Sequence, residues 1–343
     1  MATYDLTRSD LSGLLLSDNI SPAITQSIIS YLDTHGGFTG PGGTTDVQEG
    51  GFPPLNPSTQ VLLVDTPNAT VATDANLKAI VDVADAALNV TGSNNVLVAA
   101  GDGNDAINIS ATTGNDSVRA GDGNDTILGG SGADTIRAGD GNDSIVGGAA
   151  SHSAIFAGDG NDTLFSGDGS HDTLTAGSGN DSVHGGSGSH DAITVGDGND
   201  TITGGNGSHD TISAGDGNDS ILGGNGNLDS IATGSGNDTI FGGNGNLDTI
   251  HGGSGNDTIH AGSGNQDSLS GGAGNDVFDI GRAGSDTING GSGFDTVKFD
   301  DSSGNADITH HGGVTTVTFD DTGQTMKISN VEELVFTDKI EHI

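Results

Sequence analysis

The sequence predicts an all-β chain wound as a parallel β-roll, a solenoid (β-helix) with two short strands per turn. Three observations carry this. A carboxylate returns at a fixed interval, once after eighteen residues and then after every nineteen, at Asp125, Asp143, Asp162, Asp181, Asp200, Asp219, Asp238, Asp257 and Asp276. A second ladder runs between those rungs, at Asp134, Asp172, Asp191, Asp210, Asp229, Asp248 and Asp267. Two residues after the ladder acids from Asp125 to Asp267, and after Ser153, stands an aliphatic side chain: Ile127, Ile136, Ile145, Ile155, Leu164, Leu174, Val183, Ile193, Ile202, Ile212, Ile221, Ile231, Ile240, Ile250, Ile259 and Leu269. Self-similarity at one fixed period marks a chain wound about an axis, each turn stacking on the last.

Five segments follow in order. Residues 1–35 read as a helical segment: Ser21 caps, Pro22 suits the first turn, Ile24, Ile28, Ile29 and Leu32 share a face, and Gly36-Gly37 stop it. Residues 36–59 hold most of the prolines without periodicity and read as an extended linker. In 60–98 the runs VLLVD, ATVA and NNVLVA predict strands, an N-terminal cap or first rungs, although Ala75–Leu88 also fits a helix. The repeats occupy 99–297, and 298–343 read as strands of a C-terminal cap, which a stack needs to cover its open last rung.

Composition narrows the function classes. The 343 residues include 62 glycines and carry 47 Asp plus Glu against eight Lys plus Arg, a formal charge of −39. Such self-repulsion with few apolar groups would leave a chain disordered unless cations neutralise the acids. Nucleic acid is excluded as a partner, because a phosphate backbone demands a basic face. There is no cysteine, which fits export without disulfide machinery. The opening MATYDLTRSDLSGLLLSDN lacks the charged and apolar regions of a cleaved secretory peptide. No apolar run is long enough to span a bilayer as a helix.

Within one unit, Ala120-Gly121-Asp122-Gly123-Asn124-Asp125 forms a turn and Thr126-Ile127-Leu128 a short strand whose middle residue points inward. GGSGADTIR at 129–137 and GGSGNDTIH at 252–260 match GGxGxDxUx at every fixed position. In these units the chain resembles the repeats-in-toxin (RTX) family, whose nonapeptides form a calcium-binding β-roll. The resemblance implies Ca2+ as cofactor, at multiple sites. Ca2+ takes six to eight oxygens, from carboxylates and carbonyls. Without it, like charges would stand about 4.8 Å apart. The metal residues expected are Asp105, Asp116, Asp125, Asp134, Asp143, Asp162, Asp172, Asp181, Asp191, Asp200, Asp210, Asp219, Asp229, Asp238, Asp248, Asp257, Asp267, Asp276, Asp286 and Asp295. Asp122, Asp140, Asp159, Asp197 and Asp216 read as solvent-facing.

The second edge departs from the family pattern. After about residue 147 its units carry an extra residue before the acid, and that residue forms its own column: His152, His171, His190, His209, Leu228, Leu247 and Gln266. Stacked packing is favoured over a Zn2+ site or pH sensor, since the leucines coordinate nothing. At Ser153 the carboxylate is missing. Calcium is expected on the regular edge, while the bulged edge stays open.

No HExxH or GxSxG occurs, so no enzyme is predicted. Leu128, Val146, Phe165, Leu222 and Phe241 end the strands of one face as a semi-apolar assembly stripe. The expected function is a secreted structural protein that folds on extracellular Ca2+ and self-assembles as an S-layer, filament or adhesin subunit. Its partners would be further copies of itself (a homopolymer) and a cell-surface polysaccharide. The resemblance adds export by a type I ABC transporter. Alternatives are ice binding, on the partial row Thr126, Thr163, Thr201, Thr239 and Thr258 interrupted by Ser144, Ser182 and Ser220, and a glycan-binding accessory module.

Overall fold

The computed structural model describes residues 3–7, 44–49, 61–64, 68–73, 77–82, 87–280 and 284–343. The helix expected within 1–35 lies outside the described residues. Two compact units divide the chain, Met1–Gly177 and Ser178–Ile343. Each contains a parallel two-sheet β-roll.

In the first unit, one sheet stacks Val61–Val64, Ala79–Asp82, Leu97–Ala99, Ser117–Arg119, Thr135–Arg137, Ala154–Phe156 and Thr173–Thr175. Its register aligns Ile80, Val98, Val118, Ile136, Ile155 and Leu174. The facing sheet aligns Leu88, Ile107, Ile127, Ile145 and Leu164. None of these eleven side chains is more than 1% exposed. Each contributes about 1.5–3 kcal/mol by leaving water. The two-residue alternation turns their neighbours outward.

The described strands within 61–98 therefore already stack as rungs. The alternative helix over Ala75–Leu88 is corrected, because Ala79–Asp82 and Ala87–Gly92 are strands. Their β-branched runs pair with the rungs that follow, and this pairing overrides local helix propensity. The linker reading of 36–59 also needs correction. Within it, Thr44–Glu49 is a strand, antiparallel to Thr3–Thr7 and parallel to Val61–Val64. Alternating Thr44, Asp46 and Gln48 with Thr45, Val47 and Glu49 suits a strand, and a free sheet edge recruits one.

In the second unit, one column runs Val183, Ile202, Ile221, Ile240, Ile259, Phe278, Val297 and Leu334. The other runs Ile193, Ile212, Ile231, Ile250, Leu269, Ile288 and Ile328. Thr325–Ser329 and Glu333–Val335 thus continue the roll without carrying the glycine signature. Antiparallel strands then close it: Ala306–His311 and Val314–Phe319 on Thr325–Ser329, and Ile340–His342 on Glu333–Val335. Phe299 fills the end, edge-on to Phe319 at 5.5 Å and stacked with Phe336 at 5.0 Å.

Candidate metal centre

Every described acid of the two ladders is buried, at most 5% exposed. A carboxylate there must be compensated, and half of each one is. In the first unit the Asp105 N–H donates to Asp125 Oδ1 (2.8 Å), Asp125 to Asp143 (2.7 Å) and Asp143 to Asp162 (2.8 Å). In the second, Asp181 donates to Asp200, Asp200 to Asp219, Asp219 to Asp238, Asp238 to Asp257, Asp257 to Asp276 and Asp276 to Asp295, at 2.7–2.9 Å. The Asp295 N–H passes to Glu332 Oε2 at 2.8 Å, so an acid of the cap ends the series. Each side chain reaches back one turn and staples it.

The other oxygen differs. Oδ2 of Asp125, Asp143, Asp200, Asp219, Asp238, Asp257, Asp276 and Asp295 is buried with no hydrogen-bond partner. An ionised oxygen in that position is costly unless a cation faces it. Burial, with a smaller contribution from neighbouring acids, pushes Asp125, Asp143, Asp162, Asp219 and Asp257 up to about 6.

Among the described residues no three His, Cys, Asp or Glu side chains cluster as a conventional metal site. With one carboxylate per turn, the remaining donors must be main-chain carbonyls. The turns bring these close: a β-carbon on Gly141, at φ 147°, would collide with the Gly123 carbonyl. Only glycine permits that stacking. An all-oxygen donor set suits a hard cation such as Ca2+ rather than Zn2+. Bound there, Ca2+ would supply the positive charge the orphaned oxygens lack.

The bulged edge keeps the staple with less left over. Asp116 donates to Asp134 at 2.8 Å, and Asp191, Asp210, Asp229, Asp248 and Asp267 each donate to the next acid at 2.9–3.0 Å. Ser153 substitutes poorly: the Asp134 N–H reaches its Oγ at 3.4 Å, while the Ser153 N–H finds Asp172 at 2.8 Å. Oδ2 of Asp134 is satisfied by the Gly130 N–H at 2.9 Å, whereas those of Asp116 and Asp286 have no partner. Burial again raises Asp116, Asp134, Asp172, Asp210, Asp229, Asp248, Asp267 and Asp286, with Asp229 and Asp286 pushed up to about 7.

The extra residue of the bulged edge sits in left-handed backbone, with φ of 67° at His152, 63° at His171, 65° at His190 and His209, 64° at Leu228, 65° at Leu247 and 66° at Gln266. Seven non-glycine residues thus hold a conformation L side chains resist. Two pairs of the histidine rings pile one above the other, one pair in each unit. His152 stacks on His171 at 4.9 Å and 7°, and His190 on His209 at 4.8 Å and 14°. Parallel rings a rung apart match the packing expectation.

A third ladder, of asparagines, escaped sequence reasoning. The Asn124 N–H donates to Asn104 Oδ1 and Asn142 to Asn124, both at 2.7 Å. In the second unit Asn199, Asn218, Asn237, Asn256 and Asn275 repeat the bond at 2.7–2.8 Å. These side chains reach forward one turn where the adjacent aspartates reach back. The signal was the invariable Asn-Asp pair of the GDGND and GSGND turns.

On the outer face, Leu128 and Phe165 are exposed in the first unit and Leu222 and Phe241 in the second. Val146 is half-buried. Phe241 stacks on His260 at 4.3 Å and 2°.

Buried carboxylates at the turns of a glycine-rich parallel roll define a candidate cation-binding β-solenoid. The model for the RTX calcium-binding nonapeptide repeat matches residues 100–136, 128–151, 154–170, 166–189, 187–208, 194–227, 229–246, 247–265 and 266–297, more than half of the 343 residues. The chain belongs to this calcium-binding repeat family. No curated protein matches it. Among the described residues, no helix is long and apolar enough to cross a membrane.

Proposed function

We propose that this calcium-binding β-roll is a secreted structural protein, folding on extracellular Ca2+ and assembling with further copies of itself at a cell surface or in an extracellular matrix. The carrying observation is the column of buried, partnerless Oδ2 atoms on the regular edge. At neutral pH they oppose the fold until a divalent ion faces them, so metal binding becomes folding energy. In cytosol such weak extracellular-type sites stay unfilled, which suits an unfolded chain bound for a type I transporter. On the regular edge, Asp125 and Asp143, and likewise Asp200 and Asp219, would hold ions together with turn carbonyls. The bulged edge, with Asp134 satisfied internally, would bind more weakly.

Exposed Leu128, Phe165, Leu222 and Phe241 support self-association, since large apolar groups on so acidic a surface gain by being covered. The test is negative-stain microscopy and sedimentation velocity with Ca2+ and with EGTA, on the native chain and on F165S/F241S. Polymers formed only with Ca2+ and lost in F165S/F241S are expected. Monodisperse particles in Ca2+ would defeat the assembly reading.

A further inference from the structure

The eight Lys plus Arg of this chain face 47 acids, yet two of them stand side by side with no acid between. In the first unit, register places Arg119 beside Arg137 and Arg137 beside Phe156, on three consecutive rungs of the sheet's outer face. Arg137 Cζ lies 4.5 Å from the Phe156 ring centroid. Arg119 Nε is buried and has no hydrogen-bond partner. Burial and the charge of Arg137 both hold the Arg119 guanidinium below its ordinary value, and no carboxylate counteracts them.

Like charges on adjacent strands repel and cost stability. A chain this rich in Asp had every opportunity to place an acid opposite either arginine. It places hydroxyls and small groups instead: Ser117, Thr135, Ala154 and Thr173 form the neighbouring outward column, and Thr175 follows Phe156 in register. The result is a flat strip with two planar cations at one end and an aromatic ring beside them.

We propose that Arg119, Arg137 and Phe156 form a binding site for a carboxylated polysaccharide, a uronate-containing chain lying along the roll axis. Guanidinium forks take carboxylates bidentately, and two of them a rung apart converge on one anionic group. The Phe156 ring offers a face to the C–H side of the adjoining sugar, and the hydroxyl column offers hydrogen bonds to its neighbours. Repeat length favours a glycan over an acidic peptide. A pyranose unit is about as long as one rung is deep, about 4.8 Å, whereas an extended peptide advances about 3.3 Å per residue and alternates its faces. The site deepens the surface role proposed above but does not require self-assembly.

The test is isothermal titration calorimetry of the full chain dialysed into excess Ca2+. The probes are an oligosaccharide alternating glucuronate with N-acetylglucosamine, and a neutral cello-oligosaccharide. Binding of the acidic probe alone is expected, at least tenfold weaker in R119Q/R137Q and in F156A, with R119K/R137K recovering only part. Circular dichroism and the Ca2+ midpoint of each variant confirm that the roll is intact. Equal binding of the neutral probe, or no loss in the folded R119Q/R137Q variant, overturns the proposal. So does arginine-dependent self-association without glycan binding, which would make an acidic segment of a second copy the occupant.

Discussion

Replacing Asp219 separates the two jobs of a ladder carboxylate. Its Oδ1 accepts the Asp200 N–H at 2.9 Å, and its Oδ2 is buried without a partner. Burial first, then Asp238, Asp200 and Asp216, raise the group from 3.8 to about 6. A displacement of roughly two pH units corresponds to about 3 kcal/mol favouring the neutral form in the metal-free fold. Asp219→Asn keeps an acceptor for Asp200 and removes the charge. It should stabilise the metal-free roll by a fraction of that figure while weakening Ca2+ binding. Asp219→Ala also removes the charge but strands a buried N–H, at a cost of about 1–3 kcal/mol. The assay is hydrogen exchange over residues 195–240, with and without Ca2+, alongside a Ca2+ titration read by circular dichroism. D219N should protect this region better than the native chain without metal and need more Ca2+ to saturate; D219A should gain neither benefit. An unchanged Ca2+ midpoint in D219N, or equal metal-free protection in D219N and D219A, refutes the division of labour.

Further outcomes follow from the same geometry. The folded-state values of Asp125, Asp143 and Asp257, about 6, lie above the usual carboxylate value of 3.8, so folding favours their protonated forms. That stabilisation is complete below 3.8 and is lost as pH rises through about 6. Metal-stripped protein should therefore gain β signal in circular dichroism between pH 8 and pH 4.5, and a loss over that range contradicts the burial argument. Leu228, at φ 64° and half exposed, should tolerate Gly with a gain of up to about 1 kcal/mol from relieved left-handed strain, whereas Val should cost more than that. Urea denaturation in Ca2+ ranks the two. Gly141→Ala forces a β-carbon into the Gly123 carbonyl and should cost at least about 2 kcal/mol, seen as lost exchange protection in the flanking turns.

The roll was legible because two signals share one period. Ile127, Ile136 and their successors point inward in the positions that strand alternation assigned them, and their register is in the structure. Rungs lacking the glycine turn were harder to see. Ile328 and Leu334 end the two inner columns from a segment that reads only as generic strands, since a stack can add any β-branched segment of suitable length. The acids were found, but their use was not. Spacing places Asp125 beside Asp143 without revealing that one oxygen staples the backbone and the other is left over. The left-handed corner was equally silent. An inserted residue announces a bulge, yet its φ follows from how the loop must close between two fixed rungs.

The most direct measurement is far-UV circular dichroism of the whole chain at pH 7.5, metal-stripped and then titrated with Ca2+ under calorimetry. The account predicts a reduced β signal in stripped protein that rises to its full value as several equivalents bind, with heat and structure appearing together. A β spectrum already complete in stripped protein, unchanged by added Ca2+, would contradict it.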